Sequence, residues 1–108
     1  SSTSRGLGDV YKRQLYNTIS GATFASAASE FYNKAQTAYA KSDYASAVQD
    51  YVKAFKCDST NVNAAYYAAK CYVALSQTDN AKKYYGYIVN DFKTSGYYKE
   101  ANDYVSSH

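Results

Sequence analysis

The chain has no proline, no methionine and no tryptophan, one histidine, two cysteines and five glycines. Proline is the worst residue for a helix interior, so its absence leaves every long segment free to be helical. The single histidine is the last residue, His108, which excludes a histidine-based triad, a zinc pair or a general base assembled around it. Cys57 and Cys71 stand in no CxxC and have no partnering histidines, too few ligands for a metal site of about four. They read as two buried thiols, with a disulfide between neighbouring helices as the alternative. No apolar run approaches the roughly 20 residues that span a bilayer, so no membrane insertion is expected of this segment. Methionine is missing even at residue 1, so we expect the natural start to lie outside this sequence, together with any upstream repeat, signal peptide or anchor.

What is present is alanine and tyrosine, the latter fifteen times in 108 residues. Tyrosine pairs an apolar body with a polar tip, which reconciles a packed core with a mean hydropathy of -0.57. The length suits one domain. Net charge is +3, with a pI near 8.7, yet the basic excess is concentrated at the start. Residues 4–14, SRGLGDVYKRQ, resemble a translated sequencing adapter of the kind fused to gene fragments in metagenomic assemblies. Setting aside residues 1 to 14 leaves nine basic and eight acidic side chains. That balance argues against a nucleic-acid partner, since phosphate contacts need Lys and Arg in number. Gly6 and Gly8 form a GxG that follows no strand, and it carries no phosphate-binding signal. Carboxylate pairs such as Asp50 with Asp58, or Glu100 with Asp103, are what acids on exposed helix faces produce by chance. No cofactor and no enzymatic activity are expected.

Residues 1–25 are read as a leader and disordered lead-in, with a helical turn capped by Gly21 as the alternative for residues 15 to 23. From Ser26 the helical period is clear: Ala28, Phe31, Ala35, Ala38 and Tyr39 draw one face, with Ser26 or Ser29 as the cap. Lys41, Ser42 and Asp43 make a turn short enough to force an antiparallel pair. A second helix over 44–56 buries Ala47, Val48, Tyr51, Ala54 and Phe55. A third, Val62 to Leu75, buries Ala65, Ala68, Ala69, Tyr72 and Leu75. A fourth, Asp79 to Asp91, has Ala81, Tyr84, Tyr85, Ile88, Val89 and Phe92 as its inner stripe. A last helix follows Gly96, with Lys99, Glu100, Asn102 and Asp103 as a polar outer face.

The segments repeat. Ala35, Ala47, Tyr51 and Ala54 have counterparts Ala69, Ala81, Tyr85 and Ile88 at one constant offset, thirty-four positions on, and a shared offset at four places is a repeat signal. Period and residue types resemble the tetratricopeptide repeat, which has a small residue at repeat position 8, Ala at 20, an aromatic at 24 and a small or apolar residue at 27. Ser59 stands where that family has proline. The resemblance implies an all-α fold in residues 26–105: helix hairpins stacked as a short right-handed superhelix of about two and a half repeats. Repeat 1 is 28–61, repeat 2 is 62–95, and 96–105 is a third-repeat or capping helix, with Ala101 at position 8. It also implies a protein-interaction module that takes a peptide or partner protein in its concave groove. The groove positions fall on Tyr32, Gln36, Tyr39, Asn63, Tyr66, Lys70, Tyr98 and Asn102, flanked by Ser29 and Val73. The family's carboxylate-clamp branch has Lys at position 5, where this chain has Tyr32 and Tyr66, so that specificity is not expected. Two other readings stand beside it: a structural repeat that stacks or self-associates through uncapped ends, and a nucleic-acid binder similar to pentatricopeptide repeats, disfavoured by charge. Tyrosine-rich repeats also resemble those of bacterial envelope proteins.

Overall fold

The structure, a computed structural model, describes residues 21–108. The adapter-like residues 4–14 and the greater part of the lead-in lie outside the described residues. Within them the fold is all-helical: α1 (Gly21–Ala40), α2 (Tyr44–Cys57), α3 (Val62–Ala74), α4 (Thr78–Asp91) and α5 (Tyr98–Ser107), with no strand among the described residues. None of these helices is long and apolar enough to cross a membrane. Gly21 belongs to α1, the residues before it in the alternative helical turn lie outside the described residues, and Ser26 and Ser29 sit inside the helix instead of capping it.

Two antiparallel hairpins account for the first four helices. Tyr39 at the end of α1 meets Tyr44 at the start of α2, while Tyr32, two turns back, meets Tyr51. Pairs that move apart along both helices in this way require opposite directions. The turn is a Schellman closure: the Asp43 N–H donates to the Ala38 carbonyl and the Ser42 N–H to that of Tyr39. Ser42 takes a φ of 62°, and Asp43 then caps α2 by accepting from the Ser46 N–H at 3.3 Å. The second hairpin repeats this turn one period on. Gln77 donates to Tyr72 and Ser76 to Val73, and Ser76 has a φ of 61°. The helices keep the same offset, since α4 starts and ends one period after α2, and α3 ends one period after α1. Between the hairpins the Asp58 side chain accepts from Thr60, and the Asn61 side chain caps α3 at the Ala64 N–H.

The core is built of alanines at the closest approaches and tyrosines beside them. Ala35, Ala47, Ala54, Ala65, Ala68, Ala69, Ala81 and Ala101 have no exposed surface, and neither have Tyr51 and Ile88. The five residues expected to be buried in α2 are the five that are buried there. In α3 the stripe shifts toward Ala64 and Cys71, while Tyr72 and Leu75 are half-buried or more exposed, as are Val89 and Phe92 after the buried part of α4. Such positions lie next to the turns, where fewer helices cover them. α5 packs on α4 through buried Ala101 and through Tyr104, which meets Tyr85 with ring centroids 4.9 Å apart.

Candidate functional site

The groove residues form two clusters, each gathered around a buried tyrosine. In the first hairpin Tyr32 and Tyr39 both pack edge-on against Tyr51, at 5.7 and 6.1 Å. The Tyr51 hydroxyl donates to the Gln36 side-chain carbonyl. Gln36 is exposed and Tyr51 is not, so the amide supplies the one polar partner that a buried phenol needs. Tyr67 stacks on Tyr51 at 5.5 Å and touches Tyr39 and Tyr66 by its edges, joining the two clusters.

In the second cluster Asn63, Tyr66 and Lys70 of α3 meet the start of α5. The Tyr66 and Tyr97 rings lie parallel, 3.9 Å apart and 6° from coplanar. The Tyr97 hydroxyl donates to Asn63 Oδ1 at 2.6 Å. Glu100 receives three donors: the Tyr66 hydroxyl at 2.9 Å, the Tyr85 hydroxyl at 2.9 Å and the Lys70 ammonium at 3.3 Å. Lys70 also lies over the Tyr66 ring, 5.7 Å from its centre, a cation–π arrangement. Tyr98 and Asn102 are half-buried on α5 and take no part in the hydrogen bonds of either cluster. Val73 is the most exposed large apolar side chain among the described residues, at 43%. Ser29 is exposed on α1.

Glu100 corrects the expectation of a polar outer face on the last helix. Its carboxylate turns back onto α3 and α4, and only Lys99 and Asp103 pair outward, at 3.1 Å across one turn. Burial pushes the Glu100 carboxyl up, but the hydrogen bonds from Tyr85 and Tyr66 and the Lys70 charge outweigh it and hold the group below the usual carboxylate range, as hydrogen bonds to a charged form do. Tyr66 and Tyr85 are pushed well above the usual phenol value, first by burial and then by donating to that carboxylate. The cysteines are free thiols. Burial raises Cys71 to about 12, and burial together with Asp58 raises Cys57, so neither is poised as a thiolate nucleophile. Among the described residues no group of three or more His, Cys, Asp or Glu side chains is placed to hold a metal.

The sequence pattern places Tyr66, Lys70 and Asn63 on one face but does not show what meets them. Tyr97 and Glu100 follow Asn63 and Tyr66 by 34 residues each, so the repeat period itself was the signal. On α3 and at the start of α5, these residues one period apart are neighbours. No protein-family model matches the chain, and no curated protein does.

Proposed function

We propose that this chain is a tetratricopeptide-like interaction module, a short superhelix of two hairpins and a further helix, without catalytic activity of its own. It takes a peptide or a segment of a partner protein along the face of α1, α3 and α5. The observation that carries this reading is the recurrence of a whole hairpin after one repeat period, down to the paired turn serines at φ 62° and 61°. Stacked hairpins of that kind present one face of every first helix on the same side. On that side tyrosine rings are edged by amides, a composition suited to binding extended segments through aromatic contact and hydrogen bonds.

A display selection of random peptides on the full 108-residue chain tests the reading. Enriched peptides should bind with Kd on the order of micromolar. Val73→Asp, which changes an exposed side chain on that face, should weaken them at least about fivefold, the reach of about 1 kcal/mol. No enrichment, or enrichment indifferent to Val73, would sink the proposal.

A structural reading has an observation of its own. Asn63, Tyr66 and Lys70 are engaged by α5 and the residue before it within the chain, which is how repeats hold each other rather than a ligand. If stacking is the whole role, light scattering should show association that grows with protein concentration, and selection should yield nothing.

A further inference from the structure

The two hairpins treat their buried tyrosines differently. In the first, the Tyr51 hydroxyl is a donor and Gln36, on the same hairpin, is its acceptor. In the second, Tyr85 stands one period after Tyr51, but the place of Gln36 is taken by Lys70, which carries only donors. Tyr66 adds a third donor at the same point. Tyr85 is 2% exposed, and a buried hydroxyl without an acceptor is costly. Three donors therefore converge where the second hairpin, at the matching position, supplies no acceptor. The need is met from outside the hairpin, by Glu100 of α5.

Next to that point the flat face of Tyr66 and the Asn63 carbonyl are matched by one residue, Tyr97. Tyr97 and Glu100 are three residues apart at the start of a helix, hence on one face. A carboxylate in the first turn also suits the helix dipole. The hold on α5 joins apolar contacts of Tyr97, Ala101, Tyr104 and Val105 with the core to a polar rim that is wet: the Lys70 and Glu100 side chains are 39% and 44% exposed. Ala101 is the only α5 side chain that is fully buried.

We infer that Asn63, Tyr66 and Lys70 of α3, with Tyr85 of α4, form a receptor for a helix start bearing an aromatic residue and, three positions later, a carboxylate, and that α5 is its occupant in cis. The partner it fits is a helix of another protein with that aromatic-x-x-acid pattern, which binds by displacing α5. This deepens the interaction-module reading and rests on it. A tethered occupant competes at an effective concentration on the order of millimolar, so the free site is seen only when the cis contact is weakened.

The test uses a fluorescein-labelled peptide of residues 95–108 and the full chain, either unchanged or as the Tyr97→Ala/Glu100→Gln double variant. Anisotropy should show the peptide binding the double variant about tenfold or more tightly than the unchanged chain, because a vacated site is no longer shared with α5. Glu100→Gln or Tyr97→Ala in the peptide, or Lys70→Ala in the double variant, should abolish the gain. In the unchanged chain, peptide at about 1 mM, comparable to the tether's effective concentration, should strip hydrogen-exchange protection from α5 and leave that of α3 intact. Equal binding to both proteins, or binding indifferent to the peptide's Tyr and Glu, would overturn the inference. Should the double variant fail to fold by circular dichroism, undiminished α5 protection in the exchange experiment overturns it alone. Peptides from the display selection that bind while the α5 peptide does not would leave the broader reading standing and remove this one. A selection that enriches nothing would remove the broader reading, while this experiment, with its own probe, still gives a separate result.

Discussion

Ala47 and Glu100 show the two ways in which a single side chain matters here. Ala47 is fully buried in α2, as is Ala35 in α1, and a leucine there adds carbon where the helices already touch. Overpacking of this kind costs about 1 to 3 kcal/mol. Ala47→Leu should therefore lower the melting temperature by several degrees in a circular dichroism melt, and an unchanged melt would refute the close approach. Glu100 acts through charge. Its folded-state pKa is held low, so its contribution is present above the ordinary carboxylate value of about 4.3 and is lost as pH falls through the folded value. Glu100→Gln should be less stable than the unchanged chain at pH 7, and the two melting temperatures should converge in acid. A constant gap across that range would deny the carboxylate its ionised role.

At the scale of the helix pair, each hairpin closes on a serine in the left-handed region, Ser42 and Ser76. A side chain in that conformation costs about 1 to 2 kcal/mol, whereas glycine adopts it freely at an entropic cost of about 0.5 to 1 kcal/mol in the unfolded chain. Ser42→Gly and Ser76→Gly should each stabilise the protein by about 0.5 to 1 kcal/mol, a rise of a few degrees in melting temperature. The two gains should add, because the turns sit in separate hairpins. Loss of stability in either variant would mean that the serine hydroxyl has a task the backbone geometry does not reveal. Turn position was legible in the sequence from Lys41-Ser42-Asp43, but the Schellman geometry was not. Serine gives no hint of positive φ, and the carbonyls of the preceding helix set it.

Among the described residues a connected set of tyrosines runs from Tyr44 through Tyr39, Tyr67, Tyr66 and Tyr85 to Tyr104, and Tyr72, Tyr84 and Tyr87 gather with Phe55 in a second. Several resist ionisation because burial disfavours the phenolate: Tyr84 is raised to about 12, and Tyr51, Tyr66 and Tyr85 further still. A raised pKa contributes stability that is complete below the ordinary phenol value of about 10 and disappears as pH rises through the folded value. Ultraviolet absorbance of the phenolate should show Tyr51, Tyr66, Tyr84 and Tyr85 ionising only as helicity is lost. A single reversible titration with helicity intact would contradict the packing of all four.

Local periodicity was enough to read off the all-helical class, the two hairpins, the constant repeat offset and nearly all of the alanine core, because small residues at helical spacing leave few other places to put a close contact. The tetratricopeptide resemblance singled out Asn63, Tyr66 and Lys70, and their spacing puts them on one helix face. What that face meets was settled by packing alone. A half-exposed glutamate on the last helix reads as a solvated charge until the neighbouring helix is in place, since nothing local distinguishes a carboxylate in water from one that three donors await. Tyr85 is buried with a hydroxyl to satisfy, Lys70 can only donate, and the helix one period on brings the acceptor to 2.9 Å from each of two phenols.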